Sequence, residues 1–265
     1  PRTMNLTIDI GNTRTKLAIF DGDNLVERHF WEEWAIEDLL QLTTNHKVRN
    51  VILCSVGQHL DEEVEMLIKA KYRLIQLDSE TPLPIKNAYK TPQTLGKDRI
   101  AAVVGAFALY PGENCLVVDA GSCITYEWLT ADGIYLGGNI APGLRMRLRA
   151  MHEFTARLPE VTLHTVHNWI GDSTQSAMNN GVTVGTTLEI EGYRRHWEKE
   201  WGQLRVVLTG GDADFLTQTM QSEVANEPNL VFIGLNKILN HNVEYFVQSN
   251  LVFIGLNKIL NHNVE

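Results

Sequence analysis

Two stretches of this chain, 110 residues apart, follow one plan. In "LTIDIGNTRTKLAIFDGDNLVERHF" an apolar run enters Asp9-Ile10-Gly11-Asn12-Thr13, a second run follows, then Asp21-Gly22, then a third run. In "CLVVDAGSCITYEWLTADGIYLGGNI" the order recurs with Asp119-Ala120-Gly121-Ser122-Cys123 and Asp132-Gly133. Such runs bounded by Gly and Asp read as strands, and Asp-Gly between two of them signals a hairpin. A repeat this long points to two related domains facing each other, each offering a loop whose glycine lets backbone N–H groups approach a ligand. Two small polar loops across a cleft would form a phosphate clamp, with Asp9 or Asp119 holding a cation beside the phosphates.

The remaining signals fill in an α/β pattern. After the first three strands, Trp34, Ile36, Leu39 and Leu40 lie at helical spacing, Val51–Val56 reads as a buried strand, and "DEEVEMLIKAKY" as a helix with an acidic first turn. "RLIQL" is a short strand, and 78–94 is a loop. Asp98–Tyr110 is almost wholly apolar, so a buried helix is expected there, stopped by Pro111-Gly112. Later, "APGLRMRLRAMHEF" predicts a helix opening at Pro142, and 171–201 predicts a helix, a break near Asn180-Gly181, and a long helix. "LRVVLTGGDADFL" predicts a strand ending in Gly210-Gly211, a third candidate nucleotide loop, and then a helix. The segment "NLVFIGLNKILNHNVE" occurs twice, at 229–244 and 250–265. Diverged repeats are rarely identical, so the second copy is read as an artefact and the first as a last strand and helix. The expected division is 4–113 and 114–249, with 250–265 and the residues before Met4 set aside.

Composition narrows the function. A net charge of −9 argues against wholesale binding to nucleic acid or an anionic membrane, so an anionic ligand would need local devices. Cys54, Cys115 and Cys123 are few, odd in number and without CxxC spacing, which reads as a reduced, cytoplasmic protein. No apolar run is long enough to span a bilayer, and no signal-peptide pattern is seen. His164 and His167 lack close companion ligands and read as solvated; Arg145, Arg147 and Arg149 read as a solvated or subunit-facing helix side. Gly181 and Gly185 read as close-packing positions. In "GKDR", Asp98 falls at the positive end of a buried helix, which keeps a carboxylate ionised and able to take a proton; simple capping is the commoner role.

The paired Asp-x-Gly loops resemble those of the acetate and sugar kinase/Hsp70/actin superfamily. Within it the chain resembles the type III pantothenate kinases, on "DIGNTRTK", "GKDR", "DAGS" with "GGNIAPG", and "DST", in that order. The likeness runs from Met4 to about the first terminal copy. It implies two ribonuclease-H-like α/β domains, mixed sheets flanked by helices, and ATP-dependent phosphorylation of pantothenate. ATP contacts would come from Asp9, Ile10, Gly11, Asn12, Thr13, Arg14, Thr15, Lys16 and Ser122, a position more often threonine in the family. Asp98 would be the general base. Tyr89, Gly96, Lys97, Asp98, Arg99 and Thr174 would meet pantothenate; on the residues alone Tyr89 equally suits loop packing and Thr174 helix capping. Asp119 would hold a monovalent cation, K+ or NH4+, and Mg2+ would accompany ATP. The resemblance also implies a homodimer. The rival readings are a non-catalytic ATP-binding transcriptional accessory protein of the same fold, which could dispense with the base, and a sugar or acetate kinase, which would not be expected to carry "GKDR" here.

Overall fold

A computed structural model describes residues 3–11, 14–55 and 60–244. Asn12, Thr13, the end of the expected 51–56 strand and the second terminal copy lie outside the described residues. The chain divides into two compact units, the first being 1–84, 91–104 and 231–265, the second 85–90 and 105–230. They are discontinuous, unlike the contiguous 4–113 and 114–249 expected, because two helices each contribute residues to both units.

In the first unit β1 (Met4–Ile10), β2 (Thr15–Asp21) and β3 (Asn24–Trp31) form an antiparallel meander. α1 (Ile36–Asn45), β4 (Val48–Ser55), α2 (Glu62–Lys71) and β5 (Arg73–Gln76) follow. β4 lies parallel to β1 and β5 parallel to β4, so the order is β3-β2-β1-β4-β5. β1 is central and buried along nearly its whole length, so the polar Asn5, Thr7 and Asp9 that alternate with apolar residues in "NLTIDI" are buried as well. Leu6, Ile8, Leu17, Ile19 and Val51 pack with Leu39 and Leu42 of α1 and Ile68 of α2.

The second unit repeats this topology. β7 (Cys115–Ala120), β8 (Cys123–Leu129) and β9 (Ile134–Pro142) form the meander. α4 (Leu144–Glu153), α5 (Thr174–Trp201), β10 (Arg205–Thr209), α6 (Ala213–Thr219) and β11 (Ala225–Asn226) follow. The order is β11-β10-β7-β8-β9-β6, the extra edge being β6 (Lys86–Asn87), taken from inside the expected 78–94 loop. Without that edge, both sheets run third-second-first-fourth-fifth, and the parallel pairs lie at the same places. A helix follows the fifth strand of each sheet, α3 (Lys97–Leu109) after β5 and α7 (230–244) after β11, and all of α7 beyond Leu230 belongs to the first unit.

Several expectations are corrected. Pro142 ends β9 rather than opening a helix; Gly143 caps α4. α5 is one unbroken 28-residue helix. Its Asn179 and Asn180 do not break it, because their side chains bind the preceding loop: Asn179 Nδ2 donates to His164 O at 2.9 Å and Asn180 Nδ2 to Asn168 O at 2.6 Å. The first terminal copy is helix throughout 230–244, with no strand. Its polar residues are the cause: Asn5 Nδ2 donates to Asn236 and Asn240 Oδ1 at 2.8 and 2.7 Å, and Asn50 Nδ2 donates to Asn5 at 2.9 Å. Spacing of three to four residues is what lets Asn236 and Asn240 reach one partner. Of the α4 arginines, Arg145 and Arg149 are solvated as expected while pairing with Asp212 and Glu153, and Arg147 alone is largely covered, paired with Glu189. A Cβ at Gly181 or Gly185 would meet nothing within 4 Å among the described residues, so close packing against those residues does not require the glycines.

Candidate active site

The first loop starts where β1 ends. Asp9, 6% exposed, stands opposite Lys16 across the hairpin and beside Cys54 on the parallel strand β4. Lys16 Nζ lies 3.9 Å from Asp9 Oδ2, and the Cys54 thiol donates to the same carboxylate. Burial raises the Asp9 pKa above the ordinary carboxylate value; Lys16 pulls it back and the charge of Asp98 pushes it up again. Cys54 is pushed well up by burial and by both carboxylates, so it stays a thiol and a donor. A cluster of Asp9, Lys16, Cys54, Lys97 and Asp98 therefore exists within the first unit.

Asp98 is placed by the start of α3. Gly96 occupies the cap, its carbonyl accepting from Ile100 N at 3.3 Å, and Asp98 Oδ1 accepts from Arg99 N at 2.9 Å. A Cβ at residue 96 would sit 2.7 Å from Asp98 Oδ1, so glycine makes the carboxylate's seat. From Ile100 to Ala106, apart from Gly105, the apolar side chains are buried, which anchors this first turn. Arg99 is buried and Lys97 half-buried.

The other first-loop residues differ in what they can offer. Gly11 N donates to Arg14 O at 3.1 Å and closes the loop. Ile10 is a core residue, so only its backbone could face a ligand. Thr15 is buried and its Oγ1 accepts from Trp34 Nε1 at 3.0 Å, so its side chain braces the loop from beneath. Arg14 is exposed, with its guanidinium carbon 5.0 Å from the Phe30 ring centroid.

In the second unit Asp119 closes β7, opposite Thr125 on β8 and beside Thr209 on β10. Gly121 N donates to Cys123 O at 3.0 Å, and Gly143 N donates to Ser122 O at 3.2 Å, leaving the Ser122 side chain exposed. Gly210, at φ +96, passes so near that an added Cβ would lie 2.5 Å from both Asp119 Oδ1 and Ala120 O. Thus the third glycine-rich loop belongs with the second Asp-Gly loop. Thr174 is exposed at the first turn of α5, and the cap is Ser173, whose Oγ accepts from Ser176 N at 3.2 Å. Tyr89 is half-buried in the second unit, its ring stacked on Tyr135.

A sequence profile of the type III pantothenate kinases matches residues 5–196. The type III pantothenate kinase of Phocaeicola vulgatus is 43% identical over 239 residues, which is 90% of this chain and 99% of that relative. The chain belongs to the type III pantothenate kinase family. Among solved structures, a conserved Campylobacter jejuni protein assigned to the Baf family of transcriptional activators superposes with a TM-score of 0.57 at 25% identity, covering 90% of this chain and 99% of that one. A ROK hexokinase from Thermus thermophilus superposes with a TM-score of 0.51 at 14% identity over 91% of this chain and all of the other. The chain thus shares its fold with that hexokinase. In this pantothenate kinase family member, the residue that sequence reasoning missed is Cys54, while Gly143 and Gly210 were read from their own motifs without being placed against the second Asp-Gly loop. Only the strand register brings Cys54 to Asp9, and only tertiary packing brings the two glycines to residues 119–122.

Proposed function

We propose that this chain transfers the γ-phosphoryl group of ATP to the primary hydroxyl of pantothenate, giving 4′-phosphopantothenate and ADP, the first step of coenzyme A biosynthesis. Family membership supports the substrates, and the seated Asp98 carries the chemistry. Asp98 accepts the hydroxyl proton as the alcohol oxygen bonds to the γ-phosphorus and the bond to ADP breaks. The N–H groups of the first loop and Lys16 hold phosphate, and Ser122 contributes from the second loop. Lys97 and Arg99 supply positive charge for the pantothenate carboxylate, and Tyr89 and Thr174 contact the substrate.

Mg2+ supplies charge neutralisation on the phosphates when ATP is bound. Among the described residues no group of three or more His, Cys, Asp or Glu suited to a metal occurs, so Mg2+ would be held mainly by the phosphates, with one or two carboxylates from the chain. Asp9 provides one, through water. Asp119 faces threonine where Asp9 faces lysine, which supports a monovalent cation, K+ or NH4+, in the place of a side-chain charge. The family resemblance supports a cytoplasmic homodimer. No helix among the described residues is long and apolar enough to cross a membrane.

The deciding experiment is ADP release from MgATP with and without pantothenate. Release that depends on pantothenate is expected; release indifferent to it overturns the assignment. The transcriptional accessory reading, suggested by the Campylobacter relative's assignment, would require neither pantothenate nor Asp98.

A further inference from the structure

Glu127 is a fully buried carboxyl that the phosphoryl-transfer chemistry leaves unused. It sits on β8 opposite Gly138 of β9, and a Cβ at residue 138 would come within 2.2 Å of its Oε2. The hydroxyl of Tyr135, itself fully buried, donates to that Oε2 at 2.6 Å. The Tyr135 ring lies parallel to Tyr89, centroids 6.1 Å apart and planes 6° apart, an offset stack. Gly137, at φ +120, leaves the gap that the Tyr89 ring fills, since a Cβ there would lie 3.3 Å from Tyr89 Cδ2. The backbone is fixed as well: Ala88 N donates to Tyr135 O at 2.9 Å and Tyr89 N to Asn87 Oδ1 at 3.0 Å.

Burying a carboxyl is costly, and a phenylalanine could stack without it. The Glu127 tether sets where the Tyr135 ring can slide, and the stack passes that constraint to Tyr89. We infer that Glu127 and Tyr135 are positioning residues that hold the Tyr89 ring in place for the acceptor substrate. The edge strand β6 and the Gly137-Gly138 pair are parts of the same device. This rests on the reading that Tyr89 contacts pantothenate. An aromatic face there suits the branched hydrocarbon beside the acceptor hydroxyl.

The test compares Michaelis constants for the two substrates, with melting temperature as a folding control. Tyr135→Leu removes stack and tether together and is expected to raise KM for pantothenate about tenfold while KM for ATP holds. Tyr135→Phe, the variant to read should Tyr135→Leu not fold, keeps the stack and is expected to raise it roughly threefold. Glu127→Gln preserves an acceptor for the Tyr135 hydroxyl and is expected to restore near-parental KM. Unchanged KM for pantothenate in both Tyr135 variants, or an equal rise for both substrates, overturns the inference. Tyr89→Ala separates the failures. If it raises KM for pantothenate while the Tyr135 variants do not, positioning falls and the contact stands; if it changes nothing, the contact itself falls.

Discussion

The two Asp-Gly hairpins share one topology and differ in charge. Asp9 has Lys16 opposite it and the Cys54 thiol beside it; Asp119 has Thr125 opposite and Thr209 beside. The first loop spans four residues between paired positions, Ile10 and Thr15, and the second spans three, between Ala120 and Ile124. The helices after the fifth strands differ further: α3 opens Lys97-Asp98-Arg99, whereas α7 opens Leu230-Val231-Phe232. The two units thus share one frame, and the cluster of Asp9, Lys16, Cys54, Lys97 and Asp98 lies in the first. The second keeps its aspartate with threonine rather than lysine across the hairpin, the place proposed above for a bound cation.

Removing the asymmetry at its strongest point should have the largest effect. Asp98→Asn is expected to lower turnover roughly 10²–10⁴-fold while KM for ATP stays near parental, as measured by ADP release. Parental turnover would mean that the α3 opening is not what distinguishes the units. Next, Asp119→Ala is expected to reduce kcat about tenfold, near the worth of one charge contact, and to erase the response to K+. Thr125→Lys copies the first hairpin and should leave measurable activity in buffer free of K+ and NH4+. A K+ response persisting in Asp119→Ala would move the cation elsewhere.

The loops also differ in how tightly they are enclosed. Gly210→Ala, with its Cβ against Asp119 and Ala120 at positive φ, is expected to cost about 1–3 kcal/mol in urea unfolding. Among the described residues Gly11→Ala meets only Arg14 O, at 3.2 Å, and should cost less than about 1 kcal/mol. Equal costs would show that the second loop is no more confined than the first. The smallest effect is on melting. Because the folded-state pKa of Asp9 is raised, its ionised form weakens the fold at neutral pH, and that deficit fades as pH falls through the raised pKa toward the ordinary value. Nucleotide-free Asp9→Asn should therefore melt higher near neutral pH, by about 2–4 °C per kcal/mol relieved, with the gap closing on acidification. A variant that melts lower at neutral pH contradicts the burial penalty.

The strands of both meanders, the buried α3 and the Gly210-Gly211 turn were legible because each is written in a contiguous run with its own stops. β6 was not, since two residues carry no periodicity and Lys86–Asn87 becomes strand only by pairing with β9. The break expected in α5 failed because Asn-Gly is a turn signal whose side chains were, in this case, engaged by residues 164 and 168. Of the proposed functional residues, Asp9, Asp98 and Asp119 stand at the strand ends and helix start that their loops announce. Cys54 could not be placed this way, because nothing in "VILCSV" announces that its thiol meets an aspartate 45 residues earlier.

By itself the sequence determined the doubled α/β plan, the two aspartate loops and the carboxylate at the mouth of an apolar helix. Those depend on alternation, turn chemistry and helix ends, which act over a few residues. The tertiary structure decided which residues stand beside each aspartate, that Glu127 and Tyr135 lie behind Tyr89, and that each unit is assembled from separated segments. Strand register and helix docking set those neighbours, and both are fixed by burial summed over the whole core, a quantity that no short window of residues contains.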